Sequence, residues 1–339
     1  MIAALEPSIP SSHETGKLQV KHLKRYWNKA LLKRDGKLGA NDLSDEWNAD
    51  RTLLFALGLG LEQTVKHLYQ TAPAFNEFED WIVTVTGGLD TEKIARFNRI
   101  FEHGAPADTP IEKVLTDGDL SFWDENGYII LRNAVCKENC DAVIDALCSH
   151  IGVDQYDNAT WYTHHRDKQG IMIQLFQHPA LERNRNNETI RKAYEQLWGR
   201  KDIWPTTDRV SFNPPETETH PFQGPRLHWD VSTVLPIPFG LQGLLYLGNT
   251  AENQGAFTLV PGFQNRIESW INSLPSGAIP QKQDLYALGP KPIAANAGDF
   301  IIWHQALPHG SSPNTSNAPR FVQYINYAPV DEEWNKVWL

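Results

Sequence analysis

The feature that most constrains the fold is a set of metal-ligand side chains divided between two distant segments. His228 and Asp230 lie in one segment, Arg226–Asp230, and His309 lies in the other, Leu307–Ser311. Alternate side chains of a β-strand point to the same face, so a strand here would present His228 and Asp230 side by side and turn Trp229 away. The fold must then bring a second imidazole, His309, to that face from a distant strand.

Two histidines and one carboxylate on one face of an ion leave coordination positions open, as non-haem Fe(II) oxygenases require. Arg320 follows His309 by eleven residues and supplies a planar, permanently charged fork suited to a carboxylate. Taken alone, His228 and Asp230 would be read as an ordinary polar pair at a strand end. Together with His309, Ser311 and Arg320 they favour a metal site.

A series of segments resembles the phytanoyl-CoA dioxygenase-like branch of the Fe(II)/2-oxoglutarate-dependent oxygenases. An isolated His-x-Asp is a weak signal, but here the segments follow one another in the family's order across the last two thirds of the chain. They are Asp208–Pro215, Leu227–Val231, Leu241–Leu247, Gly255–Gly262, Gly298–Trp303 and Leu307–Phe321.

The resemblance implies a mainly β fold with helices, a double-stranded β-helix or jelly roll of the cupin-like kind, preceded by a helical N-terminal region. It implies Fe(II) bound by His228, Asp230 and His309. The short strands divided by Pro and Gly after residue 208 agree with such a fold.

The resemblance also implies 2-oxoglutarate as cosubstrate, chelating the iron, with its far carboxylate held by Arg320 and Ser311. Gln242 begins a strand whose first residues lie close to the cosubstrate in relatives, so it is a further candidate contact. The third reactant is O₂. Because Asp230 occupies the position that related halogenases leave to a halide, the expected reaction is hydroxylation of an unactivated C–H with release of succinate and CO₂.

Desaturation, cyclisation and epimerisation use the same ligands and remain alternatives. So does a metal-binding jelly-roll protein without redox chemistry, and so does an interaction protein organised around the N-terminal helices. The expected substrate is a small metabolite, since we find no obvious basic cluster in the catalytic region for the diphosphate of coenzyme A.

His304 competes with His309 as the second imidazole ligand. The family's distal ligand precedes Gly-Ser and an arginine about eleven residues later, which fits His309. We therefore expect His304, at the end of the strand Asp299–His304, to be a packed residue or one that supports the ligands.

Several further positions are candidates for the site or its mouth. By strand parity Thr207, Arg209 and Ser211 share a face, as do Arg320, Val322, Tyr324 and Asn326. Each polar member is either a pocket residue or a structural one; Arg209 is equally suited to a structural ion pair. The polar and aromatic loop Trp161–Arg166 is a candidate for the substrate mouth, although its histidines are also typical of a surface.

Residues 1–104 are predicted to form a helical region, joined by the linker Gly104–Pro110 to a dioxygenase domain at residues 111–339. We expect helices at Lys17–Arg34, around Leu54–Leu68 with a break at Gly58 and Gly60, at Pro73–Val85 and at Asp90–Phe101. The lysines and arginines of the first helix are expected on a solvated face. These helices are also the expected surface for a homo-oligomer or a partner protein.

Composition excludes some partners and locations. The net charge of −10 argues against nucleic acid, and the longest apolar run, Leu53–Leu61, is too short to span a bilayer. The first residues lack the pattern of a signal peptide, so we expect a cytoplasmic protein. Of the three cysteines, Cys140 and Cys148 fall on the apolar stripe of a predicted helix, which favours a packing role over a metal site at the Cys-x-x-x-Cys pair Cys136 and Cys140.

Overall fold

The computed structural model describes residues 9–103 and 110–338. The chain divides into two compact units, one of residues 1–108 with 329–331 and one of residues 109–328 with 332–339. The predicted linker lies almost wholly outside the described residues. Within the described part of the chain, no helix is both long enough and apolar enough to cross a membrane.

The described residues 9–103 of the first unit fold into helices and their connections. The helices are α1 (Leu23–Arg34), α2 (Trp47–Leu57), α3 (Leu61–Thr71), α4 (Phe75–Thr86) and α5 (Thr91–His103), with a short 3₁₀ turn at Ser44–Glu46. The predicted break between α2 and α3 is confirmed. Gly58 ends α2 with a φ of 69°, a left-handed conformation that glycine adopts without steric cost.

The first helix differs from its prediction in start and in buried face. It begins at Leu23 because His22 has a φ of 65° and cannot continue a helix. The expected solvated basic face is wrong for Lys29, which is 3% exposed. Its ammonium group lies 2.6 Å from Asp50 and 2.9 Å from Glu46, so ion pairs replace its hydration.

The described residues of the second unit combine five helices with antiparallel strands. The helices are α6 (Asp117–Asn126), α7 (Lys137–Ile151), α8 (Pro179–Arg185), α9 (Glu188–Trp198) and α10 (Ile267–Ser273), with 3₁₀ turns at Phe263–Asn265, Pro280–Lys282 and Leu285–Leu288. The strands are β1 (Tyr128–Leu131), β2 (Lys168–Gln169), β3 (Met172–Ile173), β4 (Ile203–Pro205), β5 (Val210–Asn213), β6 (Leu241–Tyr246), β7 (Phe257–Leu259), β8 (Lys291–Pro292), β9 (Phe300–His304), β10 (His309–Ser311), β11 (Arg320–Tyr324) and β12 (Tyr327–Pro329). The chain is therefore a mixture of helix and antiparallel sheet, more helical than the sequence pattern predicted.

The strands form one large sheet and two small ones. The large sheet has the order β1-β9-β6-β11-β5-β3-β2, a three-stranded sheet has the order β10-β7-β8, and β12 pairs with β4. In the register between β6 and β9, Gln242 lies opposite Trp303. Between β11 and β5, Arg320 lies opposite Asn213.

Strand alternation divides the core of this unit into two layers. One face of the large sheet, with Phe300, Ile302 and Phe321, packs with Val143, Leu147 and Tyr194 of α7 and α9. The other face, with Ile301, Trp303 and Val322, packs with Phe257 and Leu259 of β7. The polar residues Gln242, Ser211, Arg320 and Tyr324 share the parity of this second face, so the fold gathers them on the side of the three-stranded sheet.

The cysteines of α7 belong to the first layer. Cys140, Val143, Ile144, Leu147, Cys148 and Ile151 are all buried, which confirms the predicted stripe. Burial raises the pKa of Cys140 to about 12 and that of Cys148 to about 11. Both thiols pack in this apolar layer, as the predicted stripe expects.

Candidate active site

A pair of backbone hydrogen bonds brings the two ligand segments together. The N–H of His228 donates to the carbonyl of His309 and the N–H of His309 donates to the carbonyl of His228, both at 2.9 Å. The regular strand predicted at Leu227–Val231 is wrong, since His228 makes only an isolated β-bridge with His309. That single bridge is nevertheless enough to place the imidazoles beside each other, with their ring centroids 4.8 Å apart.

Glycine at position 310 permits this close approach. A Cβ atom there would lie 2.6 Å from the carbonyl oxygen of Arg226 and 3.0 Å from the amide nitrogen of Leu227. Real Cβ atoms do not approach backbone so closely, so any larger residue would push the segment of His228 away from β10. The close backbone of Arg226 and Leu227 thus explains why the His-Gly-Ser motif has glycine at position 310.

The alternation predicted for the first segment does hold. Trp229 turns into the core, is 3% exposed and donates its indole N–H to the carbonyl of Ala306 at 2.9 Å. His228 and Asp230 point the other way. One Asp230 oxygen lies 3.2 Å from Nε2 of His228 and the other lies 3.3 Å from Nε2 of His309.

Backbone carbonyls fix the tautomer of both imidazoles. Nδ1 of His228 lies 2.7 Å from the carbonyl oxygen of Arg226, and Nδ1 of His309 lies 3.0 Å from that of Leu307. A carbonyl only accepts hydrogen bonds, so each Nδ1 carries the proton and each Nε2 of a neutral ring carries a lone pair. Such an orienting contact is typical of histidines that ligate a metal.

These three side chains therefore direct electron pairs at one another. Their ligand atoms all lie within 4.8 Å, and such a set is repulsive unless a proton or a metal cation lies between its members. Burial alone would lower the pKa of His228, but the Asp230 carboxylate outweighs it and the pKa is raised. Burial works against ionisation of Asp230 as well, yet hydrogen bonding to the two imidazoles holds the pKa of Asp230 well below its ordinary value. The site thus attracts positive charge, and a divalent cation fits it.

Arg320 is a buried cation without a carboxylate partner among the described residues. It is 1% exposed, and its two terminal nitrogens donate to the hydroxyls of Ser311 and Ser211, each at 3.1 Å. No group in the described part of the chain accepts a hydrogen bond from its Nε. Burying a guanidinium without an anion costs several kcal/mol, so an acidic ligand that reaches this position would be strongly favoured.

One cavity of about 300 Å³ joins the ligand cluster to Ser311, next to Arg320. It is lined by Met172, Asp208, Arg209, Pro225, His228, Asp230, Gln242, Phe257, Trp303, His309, Gly310, Ser311, Tyr324 and Asn326. Tyr324 and Asn326 are therefore cavity residues, as one of the two interpretations expected. Burial raises the pKa of Tyr324, so its phenol stays protonated.

Gln242 lies against the carboxylate of the cluster. Its side-chain N–H donates to Asp230 Oδ2 at 2.7 Å, and its carbonyl oxygen accepts from the indole N–H of Trp303 at 3.0 Å. Of the face Thr207, Arg209 and Ser211, Ser211 reaches the guanidinium and Arg209 lines the cavity. Arg209 lies 3.6 Å from Asp208, its neighbour in the chain.

Two candidate regions lie elsewhere. His304 accepts a hydrogen bond from the amide of Ala306 at 3.0 Å and packs against Trp123 and Phe239. Burial lowers the pKa of His304 to about 4, which keeps it neutral. The loop Trp161–Arg166 contributes to a different cavity, of about 350 Å³, and not to the one that holds the ligand cluster.

A second cluster, in the first unit, also brings together side chains of metal-ligand type. Its members His22, Glu46 and Asp50 have ligand atoms within 4.8 Å of one another. Here, however, Arg25 binds Glu46 at 2.6 Å and Lys29 binds both carboxylates. Cations of the protein already neutralise these anions, so the cluster is a salt-bridge network.

Sequence reasoning missed the apolar part of the cavity. Met172, Pro225, Phe257 and Trp303 were not singled out, although the alternation in Phe300–His304 does place Trp303 on the face opposite Phe300 and Ile302. Pro225 and Phe257 belong to segments whose pairing partners are far away in the chain. No local pattern identifies them.

The chain matches known proteins in sequence and in structure. The sequence profile of the family "Phytanoyl-CoA dioxygenase (PhyH)" matches residues 123–322. A protein of Dictyostelium discoideum named "Putative phytanoyl-CoA dioxygenase" is 24% identical over 261 residues, which cover 62% of this chain and 74% of that protein.

Two solved structures illustrate the likeness in coordinates. EctD from S. alaskensis with bound Fe has a TM-score of 0.48 and 17% identity, over 68% of this chain and 83% of that one. The non-heme alpha-ketoglutarate-dependent epimerase SnoN from nogalamycin biosynthesis has a TM-score of 0.46 and 13% identity, over 63% and 82%.

The family match covers more than half of the chain and includes both ligand segments and Arg320. The enzyme class follows from it, and with the class come Fe(II) as the metal and 2-oxoglutarate and O₂ as cosubstrates. This protein belongs to the phytanoyl-CoA dioxygenase family of Fe(II)/2-oxoglutarate-dependent oxygenases.

Proposed function

We propose that the protein hydroxylates an unactivated C–H of a small-molecule metabolite, with release of succinate and CO₂. The observation that carries the proposal is the pairing of two complementary features in one place. Electron-pair donors from His228, Asp230 and His309 converge on one point, and the buried cation Arg320 is held next to the same cavity. Bound Fe(II) supplies the oxidising chemistry there; the protein binds and orients the reactants.

Each residue has a proposed task in this scheme. His228, Asp230 and His309 are the metal ligands, and they leave coordination positions open for cosubstrate and O₂. Arg320 and Ser311 bind the far carboxylate of 2-oxoglutarate. Gln242 lines the same cavity and uses one side-chain N–H on Asp230, so its second N–H is available to the cosubstrate.

The cavity favours a small substrate. Its volume of about 300 Å³ must hold the cosubstrate as well, and Arg209 is the one Lys or Arg among its lining residues. The diphosphate of an acyl-CoA calls for several cations, so a free metabolite is the better match. Asp230 occupies the position where a halide would bind, which supports hydroxylation over halogenation.

The remaining assignments are proposals of the same kind. We propose that the seven-stranded and the three-stranded sheets are those of a double-stranded β-helix, and that residues 111–339 form the dioxygenase domain. Residues 1–104 would form a separate helical region that offers a surface for self-association or for a partner protein. A cytoplasmic location stays a prediction from sequence.

The test is turnover with a matched pair of arginine variants. A metabolite screen that reads succinate would find a substrate, and ¹⁸O₂ would label a hydroxylated product but not the product of a desaturase, cyclase or epimerase. Arg320→Ala should raise the KM for 2-oxoglutarate by roughly 100-fold, because a buried bidentate contact is lost. Arg266→Ala, which removes an exposed arginine of the same unit, should leave it unchanged. Equal behaviour of the two variants would contradict the proposal.

A further inference from the structure

The carboxylate ligand is the least buried of the three side chains in the cluster. The side chain of Asp230 is 53% exposed, against 30% for His228 and 5% for His309. Backbone carbonyls orient both imidazoles, but these two contacts do not involve Asp230. An exposed carboxylate can rotate and can bind a metal through one oxygen or two. Something else must therefore decide its orientation.

Gln242 makes the contact that restrains it. The distance from the side-chain nitrogen of Gln242 to Asp230 Oδ2 is 2.7 Å, the shortest of the three polar contacts that the structure gives this carboxylate. The contact follows from the fold, because Gln242 shares the face of β6 that points toward the three-stranded sheet. It joins two residues twelve positions apart in the chain.

Trp303 determines which way the amide of Gln242 points. An indole N–H can only donate, so the group that faces it at 3.0 Å must be the amide oxygen, and the NH₂ group must face Asp230. Trp303 itself cannot turn easily. It is 2% exposed, and its ring lies 4.3 Å from that of Phe257 and 5.1 Å from that of His309.

Register makes this arrangement rigid. Gln242 and Trp303 are directly opposite each other in the pairing of β6 with β9, two inner strands of the large sheet. As directly paired residues, they extend their side chains side by side from the same face of the sheet. The hydrogen-bonded series Trp303, Gln242 and Asp230 is therefore anchored in the sheet at one end and reaches the metal site at the other.

We propose that Gln242 is a positioning residue that, held by Trp303, makes Asp230 a one-oxygen metal ligand. The amide occupies a lone pair of Oδ2 and fixes the plane of the carboxylate, which disfavours chelation by both oxygens. A second bond from Asp230 would fill a coordination position that the chemistry needs for 2-oxoglutarate or O₂. This inference rests on the proposed function, since it assigns Gln242 a task toward the metal.

The first experiment measures metal binding without turnover. Gln242→Leu keeps the volume and removes both hydrogen bonds, and its affinity for Mn²⁺ should fall by about 10- to 100-fold. The visible spectrum of the Co²⁺-loaded protein should change as well, because the ligand geometry changes. Gln305→Leu is the control: Gln305 is buried and donates to the carbonyl of Pro238 outside the cavity, so this variant should keep the affinity and spectrum of the wild type.

A double-mutant cycle tests the series as a unit. Trp303→Phe should shift affinity and spectrum in the same direction as Gln242→Leu, by less, because the amide remains but is free to flip. The double variant should bind metal no more weakly than Gln242→Leu, since the two residues act through one contact. Additive losses would contradict the role of Trp303.

The outcomes separate this inference from the proposed function. Suppose that the wild type binds Mn²⁺ and 2-oxoglutarate, and that thermal unfolding shows Gln242→Leu to be folded. If this variant then has the metal affinity and the Co²⁺ spectrum of the wild type, the positioning role is wrong and the metal site stands. If Gln242→Leu proves unfolded, Gln242→Asn, which is too short to span Asp230 and Trp303, must show the same losses. A wild type that binds no metal would instead overturn the proposed function.

Discussion

The two clusters of histidine and carboxylate in this chain have similar composition but different chemistry. In the network of His22, Glu46 and Asp50, the cations Arg25 and Lys29 balance the carboxylates. In the cluster of His228, Asp230 and His309, the contacts of Asp230 come from imidazoles and an uncharged amide. Proximity of ligand-type side chains therefore does not identify a metal site. An excess of electron-pair donors that the protein leaves unbalanced does.

The largest expected difference between the two clusters is the effect on metal binding when one carboxylate is removed from each. Asp230→Ala should abolish Mn²⁺ binding under conditions that saturate the wild type, because a site with three protein ligands loses its one anion. Asp50→Asn, which removes the charge of one carboxylate from the other cluster, should leave the metal stoichiometry as it is. Equilibrium dialysis with metal analysis measures the stoichiometry of both variants. A stoichiometry that fell with Asp50→Asn would show that a metal binds in the helical unit, contrary to this comparison.

The reverse change tests the salt-bridge network. Lys29→Met removes the buried ammonium group and leaves Asp50 buried next to an apolar side chain. Breaking a buried pair from one side costs about 3–5 kcal/mol of unfolding free energy. Pulse-labelling hydrogen exchange of peptides from α1 and α2 in urea measures the loss in this unit alone.

Lys24→Met is the control for that experiment. Lys24 pairs with Glu14 near the surface, where the two side chains are 35% and 49% exposed, so its loss should cost less than about 1 kcal/mol. If the two lysine variants were equally stable, Lys29 would not be the balancing charge that distinguishes the clusters.

Gly310→Ala sharpens the comparison from the side of geometry. The added methyl group would meet the carbonyl of Arg226 and separate His228 from His309. Overpacking of this kind costs typically ~1–3 kcal/mol, and here it should also weaken Mn²⁺ binding. Thermal unfolding and metal titration check the two effects. Metal affinity unchanged in a folded Gly310→Ala would show that the bridge between the two segments does not set the site.

The smallest expected effect is a pH dependence of the helical unit. Burial raises the pKa of Glu46, but the hydrogen bonds from Arg25 and Lys29 outweigh it and lower the pKa from 4.5 to about 2. A carboxyl group whose pKa is lowered by folding stabilises the protein above its unfolded pKa. That contribution is lost as the pH falls from about 4.5 toward 2.

Glu46→Gln should be less stable than the wild type at pH 6, and the difference should shrink steadily below pH ~4.5. The urea midpoint of each protein is measured at a series of pH values. The fraction unfolded is read from peptides of α1 and α2 by a hydrogen-exchange pulse at one fixed pH. A stability difference that did not change with pH would show that the ionised form of Glu46 does not stabilise the unit.

Motifs and strand parity predicted which side chains gather at the candidate site better than they predicted the buried face of the first helix. The resemblance singled out His228, Asp230, His309, Arg320 and Ser311, and the structure brings these side chains to one cavity and its wall. Strand parity also placed Tyr324 correctly. Short motifs can do this because side-chain direction in a strand depends only on position along it.

What the sequence analysis got wrong or missed depends on contacts between distant residues. Lys29 lies on a helix whose basic residues look solvated, and only α2, with Asp50, gives it a buried partner. The contact of Gln242 with Asp230 needs the register of β6 against β9, which no local pattern specifies. Leu227–Val231 reads as a strand by alternation, yet only His228 pairs, through its bridge with His309.

The central claim is that one Fe(II) binds at His228, Asp230 and His309 and that 2-oxoglutarate chelates it. The most direct measurement is an anaerobic titration of the metal-free protein with Fe(II) in the presence of 2-oxoglutarate, followed by absorption spectroscopy. We expect a metal-to-ligand charge-transfer band that saturates at one Fe(II) per chain and is absent in His309→Ala. A folded wild-type protein that gives no such band, or a His309→Ala variant that keeps it, would contradict the account.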